Sequence, residues 1–499
     1  MTDGPARPRT VTVAETALDG HASRALGWSF LNALVSRVGT LGVGIVLARL
    51  LGPKDFGSYA VAYVALVAVL AFNELGVSLA IVRWPGDPRA IASTVNAIST
   101  AASTLLCASI YLVAPWFSRA LGDPAATPVV RVLGLSVIVS GAVAGPAALL
   151  QRDFRQRTRL LIDQVNVWIG AVVSIVLAAM HVGAMSLAAG RLAGAVTSGI
   201  LFILCSSLPY RVSVNRAQVR PLLKFGLPLA VASILVFAVN NADQLVVGRT
   251  LGPTALGFYV LAFNLANWPL TLFSLPLRSV APAIFARLRG DPPVMRRRFT
   301  GLVGVLAAVA FPACMFLAGA SRPIVQFVYG HEWGPAAPAL VWLAVLAAMK
   351  ILFELFYDYL VVVGVSMAIM GLQLATLVTV VPAVILGAYW DGIRGVAAAQ
   401  SLVATLVLLP LYLVRLRKVG VPGRQLIQRC WRPVVAALAT VAAASALSRM
   451  VAGDVLSILA SGLVALAAAV VLLHSDRDEL RRLLAKPPPV VTTPQAATG

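Results

Sequence analysis

Apolar runs of about 20 residues follow one another along most of this chain, and no other feature constrains the fold as strongly. A run of that length crosses ~30 Å of hydrocarbon as a helix. Inside lipid, every backbone N–H and C=O must find its partner within the protein, so such a chain folds as a bundle of spanning helices. The runs lie near 25–48, 58–80, 92–114, 129–149, 160–180 and 185–206, then near 227–247, 258–281, 300–320, 336–360, 368–388 and 396–414. Two more lie near 433–448 and 455–473. The expected fold is an all-α polytopic membrane protein of about fourteen transmembrane helices. Composition agrees: 59% of residues are hydrophobic and 12% charged, about half the charge of a soluble chain.

The second constraint is a repeat. Residues 49–62, RLLGPKDFGSYAVA, recur 200 positions later at 249–262 as RTLGPTALGFYVLA, with seven of fourteen positions identical and no gap. The copies straddle spans one and two, and seven and eight. An even offset of six spans gives both copies the same orientation, so two six-helix halves are expected around a pseudo-twofold along the membrane normal. The expected organisation is a cytosolic tail at 1–23, one bundle at 24–224, a second at 225–418, two extra helices at 419–475 and a second tail at 476–499. Gly52–Pro53 and Gly252–Pro253 read as sharp turns. Pro269, close to Asn264 and Asn267, reads as an interruption or hinge of the eighth span.

The net charge is +21, from 40 basic and 19 acidic residues. In a soluble chain this would suggest a nucleic-acid partner; here it does not, because basic loops set membrane orientation. Arg152, Arg155, Arg157 and Arg159 fall in one loop, Arg296, Arg297 and Arg298 in another, and Arg415, Arg417 and Lys418 in a third. All three loops lie on the same side of the alternating topology as the chain ends. Both termini are therefore expected in the cytosol, with the chain multi-pass in a bacterial cytoplasmic membrane. The first ~20 residues lack the apolar centre of a signal peptide, so insertion is expected to rely on the first span. Cys107, Cys205, Cys314 and Cys430 are far apart, and no Cys/His cluster exists, so neither a metal nor a disulfide framework is indicated. No nucleophile constellation, paired carboxylates or phosphate-cradling glycine loop appears, so no enzyme activity, cofactor or direct ATP use is expected.

Ionisable residues within the spans are functional candidates, because a charge at the bilayer centre costs at least ~2.5–3.5 kcal/mol. Arg37 sits midway along the first span, where its guanidinium could pair bidentately with phosphate oxygens. Arg191, between Gly190 and Gly194, is a second cation on a helix suited to tight packing. Lys350, Glu354 and Asp358 recur at i, i+4 and i+8 on the tenth span and are expected on one face, for substrate contact or ion coupling. Asn240, Asp243 and Gln244 share one side of the seventh span as a polar cavity lining, with Asp243 also a coupling candidate. Each has a structural alternative: an internal ion pair, a snorkelling cation, or a solvated cavity wall. Tyr59 and Tyr259 read as ordinary interfacial tyrosines.

Several stretches carry a resemblance. LLGPKDFGSYAVA, NELGVSLAIVRW at 73–84, LLQRDFRQR at 149–157, NNADQLVVGR at 240–249, PLRSVAPAIFARL at 276–288 and GHEWGP at 330–335 occur in order. They resemble the polysaccharide-transporter branch of the multidrug/oligosaccharidyl-lipid/polysaccharide exporter superfamily. Ser36-Arg37-Val38 is similar to a first-helix motif of the sister lipid II flippases. The resemblance implies a V-shaped pair of bundles around a central cavity. It also implies alternating-access flipping of a polyprenyl-diphosphate-linked oligosaccharide for capsule, exopolysaccharide or O-antigen-like polymers. The partners implied are that lipid-linked sugar, membrane lipids, glycosyltransferases and a polymerase. The alternatives are a lipid II flippase, a drug/cation antiporter of the same superfamily, and a membrane glycosyltransferase or polymerase.

Overall fold

The computed structural model describes residues 14–73, 77–83, 87–274, 281–282, 284–451 and 453–477; within these, the side chains of 14–38, 40–41, 72–73 and a few further helical positions, chiefly within 225–235, are not described. The first half comprises α1 (Ala14–Asn73), α2 (Val77–Arg83), α3 (Arg89–Ala120), α4 (Thr127–Arg152), α5 (Gln156–Ala179) and α6 (Met185–Cys205). The second comprises α7 (Arg216–Leu251), α8 (Pro253–Pro269), α9 (Pro292–Gly319), α10 (Ser321–Tyr329), α11 (Ala337–Val363), α12 (Ser366–Val403) and α13 (Leu409–Lys418). Two helices follow, α14 (Gly423–Met450) and α15 (Asp454–Ser475). No strand occurs among the described residues.

Eleven stretches among the described residues are long and apolar enough to cross a membrane. Two of them each hold two limbs. α1 breaks at Gly52 (φ 70°, ψ 174°), and the 52-residue stretch Met367–Lys418 breaks at Asp391 and Gly392. α7, at 36 residues, spans by length. Counted limb by limb and with α7, the described residues hold fourteen long helical segments, as many as the apolar runs. Several hydroxyls within the spans find a partner on their own helix: Thr104, Thr250, Thr376 and Thr440 each donate to the carbonyl four residues back, which satisfies them inside lipid.

Each half packs mainly on itself. α3 lies against α4 and α5 against α6, whereas α7 lies against α12 and α9 against α11. α14 runs along α9, close enough that a Cβ on Gly319 would sit 2.6 Å from the Ala444 Cβ. The halves meet chiefly where α1 crosses α8 and α7. On the face carrying the chain ends, the segment joining the halves lies along α3. Asn96 Nδ2 donates to Arg211 O (3.1 Å), Thr94 Oγ1 to Gln218 Oε1 (2.9 Å) and Gln218 Nε2 to Ala90 O (2.9 Å).

On the opposite face, the repeated peptide seals the halves together. Gly252 (φ 85°, ψ 179°) reproduces the turn at Gly52, and a proline opens the next limb each time. The left-handed φ favours glycine, and Pro fixes the first turn that follows. The two copies then pack on each other. A Cβ on Gly57 would lie 2.2 Å from Pro253 O, and one on Gly257 would lie 2.8 Å from Pro53 O. The arginines heading the copies reach across in opposite directions. Arg49 donates to Val328 O (2.8 Å) and to Phe327 O, at the end of α10. Arg249 donates to Ala120 O (2.8 Å), at the end of α3. Each guanidinium thus satisfies carbonyls that a helix end leaves open, at the negative pole of its dipole. Trp333, fully buried in the turn before α11, fills the seam. Phe56 and Phe258 meet it edge to face at 5.5 and 5.8 Å, and its Nε1 donates to Ala48 O (3.2 Å).

Two outcomes follow from this packing. Gly57→Ala pushes a methyl into backbone and should open this seam. Leu256→Cys, in a background lacking the four native cysteines, should then react several-fold faster with a membrane-impermeant maleimide, whereas Gly42→Ala, with open space around it, should not change the rate. Trp333→Ala should destabilise the fold by roughly 3–5 kcal/mol, read as a lower melting temperature in detergent.

Candidate functional site

Within the second half, α7, α8, α11, α12 and α13 enclose a cavity of about 660 Å³. Its polar wall follows from helical spacing. Asn240, Asp243 and Gln244 stand at i, i+3 and i+4 on α7 and all line it. On α11, Lys350, Glu354 and Tyr357 do the same, one turn apart. The backbone widens beside it twice: Leu270–Ser274, after Pro269, and Ala404–Leu408 are π-helical turns. Proline removes one helical hydrogen bond, and such turns recur at functional sites in helices.

The charges in the cavity are placed by neighbours. Asp243 is buried; its carboxylate accepts from Tyr259 Oη (2.7 Å) and from the Gln244 backbone N–H (2.9 Å). Lys350 Nζ sits 5.1 Å from the centre of the Phe263 ring and within the fields of both Asp243 and Glu354. The Ser274 hydroxyl donates to Glu354. Lys350 therefore faces two carboxylates in a low-dielectric setting, where such interactions are strong. Amides complete the lining, among them Asn267, Gln373 and Gln400. Gln400 Oε1 is buried with no hydrogen-bond partner among the described residues, an acceptor open to a donor in the cavity.

The other sequence candidates lie elsewhere. Arg37 is on α1, but its side chain lies outside the described residues. Arg191, on α6, is exposed and lies 5.3 Å over the Tyr63 ring, in the other half from Lys350. The glycines around it are packing sites: a Cβ on Gly190 would meet Gly170 O at 2.5 Å, and one on Gly194 would meet Asn166 O at 2.4 Å. Asp358 is buried but does not line the cavity. Eight residues at 100° each carry it about 80° round the helix from Lys350, so the expected single face of three charges holds for two. Gly52, Pro53, Gly252, Pro253 and Pro269 are the turn and break positions described above.

Sequence reasoning missed Tyr259. It is no interfacial residue but a fully buried donor to Asp243. The repeat carried the signal, in the ring four residues after its tyrosine, one position beyond the matched block. Tyr59 stacks on Tyr63 at 5.9 Å, and 200 positions later Tyr259 stacks on Phe263 at 6.4 Å. In each half a cation covers the second ring: Arg191 in the first and Lys350 in the second.

A family profile described as "Polysaccharide biosynthesis protein" matches residues 46–338, more than half of the chain. The Lipopolysaccharide biosynthesis protein WzxC of Escherichia coli (strain K12) is 25% identical over 435 residues, 86% of this chain and 87% of that protein. The Succinoglycan biosynthesis transport protein ExoT of Rhizobium meliloti (strain 1021) is 24% identical over 372 residues, 73% of this chain and 74% of that protein. Among solved structures, Lipid II flippase MurJ in an inward closed conformation matches with a TM-score of 0.75 at 13% identity, covering 90% of this chain and 99% of its own. An inward-facing multidrug resistance MATE family transporter of the MOP superfamily gives 0.60 at 17% identity, covering 76% and 94%. The chain belongs to the polysaccharide biosynthesis protein family, whose profile it matches, and it shares its fold with these two solved transporters.

Proposed function

We propose that this protein flips a polyprenyl-diphosphate-linked oligosaccharide from the cytosolic to the outer leaflet by alternating access, for assembly of a surface polysaccharide. The observation that carries the reading is a charged, amide-lined cavity inside an apolar membrane bundle, beside an outer seal made by a duplicated peptide. Burying such polar surface in a membrane is costly, and amides and hydroxyls are the groups that bind sugar hydroxyls. In this reading residues 24–224 and 225–418 are the two rocking bundles. Residues 419–475 add two helices, the tails at 1–23 and 476–499 are cytosolic, and glycosyltransferases and a polymerase work on either side of the transport step.

Arg37, Arg191 and Lys350 neutralise the diphosphate, with Asn240 and Gln244 contributing hydrogen bonds. Asp243 and Glu354, beside Lys350, carry the coupling charge. Asp358 serves α11 from outside the cavity. Gly52–Pro53 and Gly252–Pro253 are the turns that part when the outer face opens, and Pro269 is a flexing point at the cavity wall. The lysine beside the acids disfavours an organic cation as cargo.

Deletion of the gene, in a strain with no second flippase, should leave lipid-linked oligosaccharide accumulating on the cytosolic leaflet. An unchanged distribution rejects the flippase reading. In complementation, Lys350→Ala should reduce polymer export by at least about tenfold, and Lys350→Arg should restore part of it, since one charge-assisted contact is worth ~1.5–3 kcal/mol. Asp243→Asn should make residual transport insensitive to collapse of the ion gradients; equal sensitivity in the variant and the parent rejects Asp243 as a coupling group.

A further inference from the structure

A second cavity, of about 730 Å³, opens on the face that carries the chain ends, where α14 and α15 meet the second half. Its wall comes from the start of α9, the loop before α14, the first turns of α14 and Asp476 beyond α15. Arg296, Arg297, Arg429 and Arg432 line it against a single carboxylate among the described residues, Asp476. The positive-inside rule accounts for basic loops along a face. It does not account for four guanidinium groups in one concavity, two from each of two helices that are far apart in sequence. Gathering like charges is unfavourable unless an anion shares the site.

Two of these side chains are held in place. Arg296 Nη1 donates to Gly420 O (3.2 Å), and Gly420 (φ 85°) leaves room for the guanidinium: a Cβ there would lie 2.8 Å from the Arg296 Cζ. Arg432 lies 5.6 Å over the Trp431 ring, a cation–π arrangement. The field of the backbone has the same sign. α9 and α14 both begin at this cavity, so the positive ends of two helix dipoles point into it, and α14 has no side-chain cap of its own. Asp291 caps α9 from outside the lining. Planar, forked donors match phosphate oxygens bidentately.

The surroundings indicate where that phosphate comes from. Trp431 is 53% exposed, and above it α14 shows Val434, Val435 and Leu438, all exposed apolar residues on a spanning helix. Tryptophan at that level marks the membrane–water interface. A phosphate that enters beside it can leave its acyl chains along the apolar strip. We propose that this cavity binds the phosphate headgroup of an anionic lipid in the adjacent leaflet and so ties the two C-terminal helices to the second half. This site lies apart from the polar cavity and does not depend on the cargo assigned above.

The test uses the purified, delipidated full-length protein and native mass spectrometry. Dioleoylphosphatidylglycerol should bind with a saturable first equivalent, in preference to phosphatidylcholine. Arg297→Gln with Arg432→Gln should weaken that first equivalent at least about tenfold. Arg157→Gln with Arg220→Gln, the same charge loss on the same face but outside the cavity, should leave it unchanged. Should the double variant not be monodisperse, Arg297→Gln alone is read, with the same direction expected. Equal weakening by both pairs, no weakening by either, or equal affinity for phosphatidylcholine overturns the proposal. A parallel titration with inorganic diphosphate separates the sources: if it binds through Arg297 and Arg432 while phosphatidylglycerol does not, the lipid assignment is wrong.

Discussion

Backbone touches backbone where Gly57 meets Pro253 and Gly257 meets Pro53, and the arrangement of both halves depends on that approach. A side chain at either glycine would hold the limbs apart, and the crossed arginines would lose their reach. The contact is also self-complementary. The same residues serve on both sides, so one peptide supplies turn, packing surface and cation in each copy. Trp333 is the asymmetric element, a single ring received by Phe56 and Phe258 alike.

The inner chemistry breaks that symmetry. Both halves keep an aromatic pair on the helix after the Gly-Pro turn, and both bring a cation over the second ring. Among the described residues, the second half alone adds a buried carboxylate bonded to the first ring, and it is the half with the polar cavity. A scaffold duplicated for shape has thus been charged on one side.

Much of this was legible beforehand. Length and hydropathy dictate the spans, because lipid leaves the backbone few choices, and the fixed 200-residue register dictates the parallel halves. Helical spacing correctly puts Asn240, Asp243 and Gln244 together, and Lys350 with Glu354. Spacing alone could not show that these two sets face each other, since that depends on how α7 and α11 pack. It also overextended at Asp358, where the drift of 3.6 residues per turn accumulates over two repeats. Tyr259 was misread because tyrosine at a span's edge has a common interfacial use, and only its tertiary partner reveals the other one. Arg49 and Arg249 stood in plain view in the repeat, but the carbonyls they cap belong to helices far away in sequence.

The segment joining the halves is bonded to α3 rather than hanging free, with Gln218 and the Thr94 hydroxyl at its centre. That makes the foot of α7 a fulcrum. α7 has 36 residues, so at 1.5 Å per residue it is a rod about 54 Å long. A tilt of about 10° at its foot would carry its far end sideways by about 9 Å. Arg249 and Gly252 stand at that far end and Asp243 two turns short of it, so a small rotation on one face of the membrane becomes a wide displacement on the other.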